Sequence, residues 1–390
     1  MSWQEITFGN FAEIQPQVKL EKGTAYSFIE MADVVPHTKN VIPGGKRTWK
    51  SSGGSKFENG DTIFARITPC LEHGKTAKVS NLTDSKGFGS TEFFVFRGRE
   101  GISDPDYIYY LARSPVIREP AIKSMTGASG RQRAQKIVVE NTSIRVPEIQ
   151  EQRHIASILS AYDDLIENNQ RRIQLLEQSA QLLYKEWFVH LRFPGHEHVT
   201  ITDGVPDGWE KNPLGEIADI TMGQSPKSIY YNEDGNGLPF HQGVTNFGIR
   251  FPSHQKYCTM QNRLAEPGDI LFSVRAPVGR INIVPDKIII GRGLAAIRSR
   301  TGQQNFLFYA LKNRFFKEDI MGSGAIFAAI TKKDLHGVEL LQTSDQIAKM
   351  FMAHVVPIDL QIEKLHQSNE QLTQARDVLL PRLMNGEISV

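Results

Sequence analysis

The chain has 390 residues, 40% hydrophobic and 23% charged, the composition of a soluble globular protein with room for two or three domains. Two cysteines, Cys70 and Cys258, lie far apart and outside any Cys-x-x-Cys pattern, which argues against a disulfide scaffold and a zinc finger and fits a reducing compartment. A net charge of +2 is too mild to single out a nucleic-acid binder, and MSWQEITFGN is no secretory signal. No run of eighteen apolar residues occurs, so a cytoplasmic protein that does not span a membrane is expected.

In chain order, the first pattern is Trp3, Gly9, Ala12 and Ile14. A basic run over 39–56 follows, with Lys39, Lys46, Arg47, Lys50 and Lys56 and no acid between them; the surrounding Gly, Ser and Thr predict loops rather than helix faces. Gly60-Asp61-Thr62-Ile63-Phe64 opens a β-type burst that leads past Arg66 to Pro69, and a second burst, FFVFR, closes at Arg97. Residues 107–113 read as an aromatic-rich helix. Another basic run over 123–136, with Lys123, Arg131, Arg133 and Lys136, surrounds a Gly/Ser loop at 127–130. Pro147 then introduces a stretch without Gly or Pro until Pro194, a long helix. Its seam, Tyr162, Ile166, Asn169, Ile173, Leu176, Ala180, Leu183 and Trp187, alternates spacings of four and three, the period of a coiled coil.

The rest of the chain repeats this order. Trp209, Gly215, Ala218 and Ile220 are the opening pattern shifted by 206, and Gly268-Asp269-Ile270-Leu271-Phe272 is the later one shifted by 208. Pro277 with Arg275 follows, then the burst Ile288 to Ile290, LAAIR closing at Arg298, a helix over 306–316 and a Gly/Ser loop at 322–324. Glu151-Gln152 is matched by Asp345-Gln346. A second seam, Ile358, Ile362, Leu365, Asn369, Leu372, Arg376, Leu379 and Leu383, is the first shifted by 196 at every position. Slowly drifting offsets are what loop insertions produce between two copies of one unit. Pro357 is expected to break or kink the second helix.

The fold class expected is α+β. Two globular mixed α/β domains are separated by two long antiparallel coiled-coil helices with an internal pseudo-two-fold repeat. The boundaries read as 1–146, 147–192, 193–338 and 339–390. The first helix must deliver the chain from one domain to the next, so an antiparallel pair would hold the domains at its two ends. From Tyr162 to Trp187 such a helix spans about 39 Å, close to one turn of B-DNA at roughly 34–36 Å.

Catalytic patterns are missing. Gly74-Lys75-Thr76 ends like a Walker A loop, but Pro69 stands where the first glycine belongs. There is no GxGxxG before a helix, no Asn-Pro-Pro-Tyr of amino-methyltransferases and no Pro-Asp followed by Asp/Glu-x-Lys of nucleases. His196-Glu197-His198 reads as a solvated loop rather than a metal site. No catalytic, cofactor-binding or metal residue is nominated, and the balance moves toward binding.

Several segments then carry a resemblance. EQRHIASILSAYDDLIENNQRR, LYKEWFVHLRFPGHE, LLPRLMNGEISV and GWEKNPLGEIADITMGQSPKSIYYNEDGNGLPFHQG are similar to the DNA specificity subunit of type I restriction-modification systems, over essentially the whole chain. The resemblance implies two target-recognition domains, each followed by a conserved helix, in a non-catalytic subunit. Each domain would read one half of a bipartite, asymmetric double-stranded DNA site. The subunit would scaffold two methyltransferase subunits that use S-adenosylmethionine, with two restriction subunits that consume ATP with Mg able to join. The first recognition domain matches only in its framework residues. The alternative reading is a stand-alone tandem-domain DNA-binding regulator that uses its helices for dimerisation.

Loop Lys and Arg suit phosphates, while Arg, Gln, Asn, Ser and aromatics can reach base edges. The nominated contacts in the first domain are Lys46, Arg47, Lys50, Ser51, Ser52 and Lys56, with a second group of Arg66, Arg131, Gln132 and Arg133. In the second domain they are Gln224, Ser225, Lys227, Tyr230, Tyr231, His241 and Gln242, with Arg275, Arg280 and Arg292 as basic companions.

Overall fold

The computed structural model describes residues 3–315 and 329–390. Two compact units emerge, one joining Met1–Arg171 to Leu365–Val390 and the other formed by Arg172–Lys364, so the division falls inside both long helices.

In the first unit, strand Ala12–Ile14 lies at the edge of a five-stranded sheet, followed in order by Phe93–Gly98, Thr62–Ala65, Thr76–Val79 and Asn40–Val41. A smaller sheet has the order Gly45–Thr48, Ala25–Ile29, Lys86–Gly89, Ser55–Glu58, with its middle pair parallel. Helix Pro105–Arg113 covers the larger sheet. Pro105 sits in its first turn, and the Asp104 carboxylate caps it by accepting from the backbone N–H groups of Asp106 and Tyr107. Its residues from Tyr107 through Ala112 are buried, with Phe8, Phe11, Phe64 and Phe96 beneath them. Each such fully buried side chain contributes roughly 1.5–3 kcal/mol.

The second unit repeats the plan with altered strand counts. Ala218–Met222, Leu294–Ser299, Ile270–Ser273 and Ile281–Ile283 form a four-stranded counterpart of the first unit's five-stranded sheet. Tyr231–Asn232, Tyr257–Cys258, Leu238–His241, Ile288–Ile290 and Leu264–Ala265 form the other, again with one parallel pair in the middle. Helix Gln304–Phe315 takes the place of the aromatic helix. The repeated Gly-Asp motif now has a reason. Asp61 accepts two hydrogen bonds from the Arg97 guanidinium, and Asp269 accepts one from Arg298, so in both units the acid opening one strand is tied to the arginine ending its neighbour. Pro69 and Pro277 both follow cis peptide bonds.

The long helices are Ile149–Tyr184, continued by a π-turn at Lys185–Val189, and Asp345–Met384. Within each unit they run antiparallel. In the first, Asn169 donates to Asn369 at 2.9 Å and Asp163 meets Arg376. In the second, Trp187 lies 6.0 Å from Phe351, while Glu177 and Asp359 share one arginine. Of the seam residues, Ile166, Leu365 and Leu383 are buried in the first unit, and Ile173, Trp187 and Ile362 in the second. Leu372 and Leu379, and likewise Leu176 and Leu183, are half-buried.

Three expectations need correction or placement. The second helix runs unbroken through Pro357. The carbonyl deprived of a donor belongs to Ala353; both residues are exposed, so solvent can replace that bond while Val355 next door stays buried in the core. The basic run over 39–56 is not all loop: Lys46 and Arg47 lie on one strand and Lys56 on another, while Lys39 is buried against Asp106 and Ser160. The glycine loop at 322–324 lies outside the described residues. No helix among the described residues is long and apolar enough to cross a membrane.

Buried ion groups fasten each globular part to its helices. Asp163 accepts from the Tyr110 hydroxyl at 2.7 Å and from Arg376 at 2.5 Å. Its counterpart 196 residues on, Asp359, accepts from the Tyr309 hydroxyl at 2.6 Å and from Arg250 at 2.8 Å. Burial pushes both phenols far above their ordinary pKa, so both stay protonated donors. The two cations differ in origin. Arg376 belongs to the second long helix, whereas Arg250 comes from a loop of the globular part and also pairs with Glu177, which Lys312 meets at 2.8 Å.

Candidate nucleic-acid interface

In the first unit, Lys46 and Arg47 stand exposed on the edge strand Gly45–Thr48. The Arg47 guanidinium lies over the Phe28 ring at 3.9 Å and pairs with Glu30, which fixes its plane. Lys50, Ser51 and Ser52 form the exposed turn that follows, where Ser51 takes a left-handed conformation. Lys56 is on the opposite edge strand, its ammonium over the buried Trp49 ring at 5.1 Å. These side chains therefore belong to one small sheet.

The second nominated group comes together from two distant segments. Thr68 and Gln132 exchange two bonds, the Thr68 N–H donating to the Gln132 carbonyl and the Gln132 N–H to the Thr68 hydroxyl, both at 3.0 Å. Arg66 lies over the Phe94 ring at 4.8 Å, and Arg131 is exposed. Arg133 is bound through two nitrogens to Glu92 at 2.7–3.0 Å, and that carboxylate raises the arginine's pKa. Its charge is already answered within the unit.

In the second unit, Gln224, Ser225, Gln242 and Arg292 meet at the ends of adjoining strands. The Ser225 hydroxyl donates to the Gln242 side-chain carbonyl at 2.7 Å and accepts from the Arg292 backbone N–H at 3.2 Å. Asn262, which sequence reasoning missed, donates to the Gln224 carbonyl at 3.4 Å. Gly291 and Gly293 permit this approach, since a Cβ at either would lie 2.7 or 2.4 Å from Gln242. Lys227 and Tyr230 are exposed. Tyr231 stacks on Phe240 at 4.6 Å and donates to the Pro226 carbonyl, so its ring is part of the fold. His241 is buried beneath the cluster, 2.9 Å from His254; burial, with His254 adding to it, lowers its pKa to about 4. Arg275 and Arg280 are exposed on the segment containing the second cis proline. Strand register aligns Arg275 with Ile67 rather than with Arg66, since each bridges the segment behind it, Ala329 and Arg133 respectively.

Both units thus present exposed amides, hydroxyls and cations, on different strands in the two. Such groups can bond base edges and phosphates. Among the described residues, no group of His, Cys, Asp and Glu is arranged to hold a metal ion.

Comparison with known proteins gives the same answer. The family model described as type I restriction modification DNA specificity domain matches residues 2–178 and again 206–363. A Methanocaldococcus jannaschii chain provisionally called the type I restriction enzyme MjaX specificity subunit is 33% identical over 347 residues, covering 85% of this chain and 79% of that one. The type I restriction enzyme MjaIX specificity subunit of the same organism is 28% identical over 354 residues, covering 86% and 79%. A crystal structure of a type I restriction-modification S subunit from M. genitalium shares the fold, with a TM-score of 0.55 at 18% identity over 98% of this chain and 96% of the other. With the family domain present twice and in tandem, this chain belongs to the DNA specificity subunits of type I restriction-modification systems, the non-catalytic members of those complexes, and is not a stand-alone regulator.

Proposed function

We propose that each unit reads one half of a bipartite, asymmetric site in double-stranded DNA, that the long helices hold the separation between halves, and that two methyltransferase subunits dock on those helices. The observation that carries this reading is the duplication: one plan of sheets and helices occurs in both units but carries different polar and basic groups, and two different polar surfaces call for two different half-sites. Docking is supported by Leu175, Leu182 and Val189, spaced by seven residues on the first long helix and turned away from its seam with 55%, 60% and 47% of their surface exposed. S-adenosylmethionine, and ATP with Mg where two restriction subunits join, bind the partner chains, and the assembly works in the cytoplasm on chromosomal DNA.

The test is to co-express this chain with the methyltransferase subunit in cells lacking both and to map methylated bases across the genome. The expected result is one motif of two defined halves around an unspecified spacer, present only when both chains are made. Methylation at a single uninterrupted motif, or without this chain, overturns the reading.

A further inference from the structure

The first unit contains an open groove of about 720 Å³ on its recognition surface. One wall is the segment Gln15 to Leu20, leaving the edge strand Ala12–Ile14; the other includes Ser55, Lys56 and Thr91. One of the nominated second-unit residues, Arg292, has its counterpart here by strand register, and the strand leading to Gln224 and Ser225 corresponds to the strand leading into this wall. Ile14 opposes Phe96 just as Ile220 opposes Ile297. The Phe93 carbonyl of the first unit then corresponds to the Leu294 carbonyl of the second. In the second unit that carbonyl accepts from the Gly223 backbone N–H. In the first it accepts from the Gln15 side-chain amide at 2.9 Å, with Gln15 itself left-handed at φ 61°. The two segments therefore leave corresponding strand ends by different turns, and beyond them stand Gln15 to Leu20 in one unit and Gln224 and Ser225 in the other.

The facing wall obeys the same register. Ser90 donates its backbone N–H to Ile29 as Gly291 does to His241, so Thr91 stands where Arg292 stands in the second unit. The groove is thus the first unit's version of the Gln224–Ser225–Arg292 cluster, with other side chains in it.

Its chemistry suits duplex DNA. Gln17 and Lys19 are exposed on either side of the buried Val18, so both side chains project outward from the wall. Lys56 faces them, held over Trp49. The Ser55 hydroxyl is already committed to the Phe93 carbonyl at 2.8 Å, which leaves Gln17 and Thr91 as the neutral hydrogen-bonding side chains of the groove. No carboxylate lines it. A glutamine amide between two ammonium groups matches a base edge between two phosphates, and a glutamine can pair through both its atoms with adenine.

We propose that this groove is where the first unit reads its half-site, with Gln17 contacting a base and Lys19 and Lys56 the flanking phosphates. The inference rests on the DNA-reading function proposed above. The test compares the wild-type chain with Gln17→Ala and Lys19→Ala, each assembled with its methyltransferase, by methylation mapping and by binding to duplexes altered one base pair at a time. Gln17→Ala should lose roughly 10- to 100-fold of discrimination at one position in one half-site and leave the other half as it was. Lys19→Ala should weaken binding to every duplex and lower the slope of log affinity against log salt by about one. A Gln17→Ala motif identical to wild type at every position, or an equal loss on every duplex, overturns the proposal. If the wild-type assembly itself shows no bipartite motif, the functional reading fails instead, and the two failures are distinct.

Discussion

Removing the Arg376 side chain would leave the buried Asp163 carboxylate without its hydrogen-bonded cation and with only Arg113, at 3.8 Å, to answer its charge. Arg376→Ala is expected to destabilise the first unit by about 3–5 kcal/mol, while replacing both partners by apolar residues of similar volume should restore most of that; urea unfolding of the three proteins checks this. His241 makes a pH-dependent prediction in the second unit. Its folded pKa, lowered to about 4 by burial and then by His254, lies below the ordinary 6.5, so the unfolded chain takes up the proton first. The stability it contributes is complete above about pH 6.5 and is lost as pH falls toward 4. Between pH 7 and pH 5 the loss is about 2 kcal/mol. His241→Gln should remove that part of the pH dependence, which urea unfolding at the two pH values measures; an unchanged slope would contradict it. At this scale the sequence was only partly legible. Gln224, Ser225 and Gln242 stood out as polar residues among glycines and do cluster. The burial of His241 and the engagement of Arg133 by Glu92 depend on residues far away in the chain. Gln17 lacks any motif in common with Gln224, and only the pairing of the strands before them relates the two segments.

Ile173 and Leu182 sit nine residues apart on the same helix, with opposite consequences for substitution. Ile173 is buried in the seam, whereas Leu182 is exposed. Ile173→Asp should therefore lower the thermal midpoint of the chain sharply, a buried unpaired carboxylate costing several kcal/mol. Leu182→Asp should leave that midpoint within about a degree or two, since surface changes stay within about 0.5 kcal/mol, yet abolish co-purification with the methyltransferase. Loss of folding in the second variant would show that this stripe belongs to the fold. The seam was readable because alternating spacings of three and four survive whatever surrounds a helix. Pro357 misled because a proline's cost depends on what happens to one carbonyl, and here that carbonyl faces outward. The basic run misled for a related reason: Gly and Thr around Lys46 and Arg47 resemble a loop, but pairing with strand Ala25–Ile29 makes them an edge strand.

For the molecule as a whole, the repeat was visible in the sequence because the framework residues of both copies, such as Asp61 and Asp269, do the same structural work. The proposed contact residues were not, because on the function proposed above two domains that read different bases have no reason to keep them alike. The units divide inside both helices, after Arg171 and after Lys364. Four residues inserted at both places lengthen each helix by about 6 Å, nearly two base pairs at roughly 3.4 Å each, with an angular error of about 40°. Methylation mapping of that variant should return the same two half-motifs around a longer spacer; an active variant with an unchanged spacer would exclude helix length as the ruler. The unequal origin of the two buried cations bears on replacing either globular part by another. A recognition domain transplanted into the first position finds Arg376 already supplied by the recipient's helix for Asp163, with a tyrosine and an arginine such as Tyr110 and Arg113 adding to that pair. One transplanted into the second position must bring its own cation, or Glu177 and Asp359 are stranded. Grafting should therefore be directional, with the first position accepting a wider range of donors than the second.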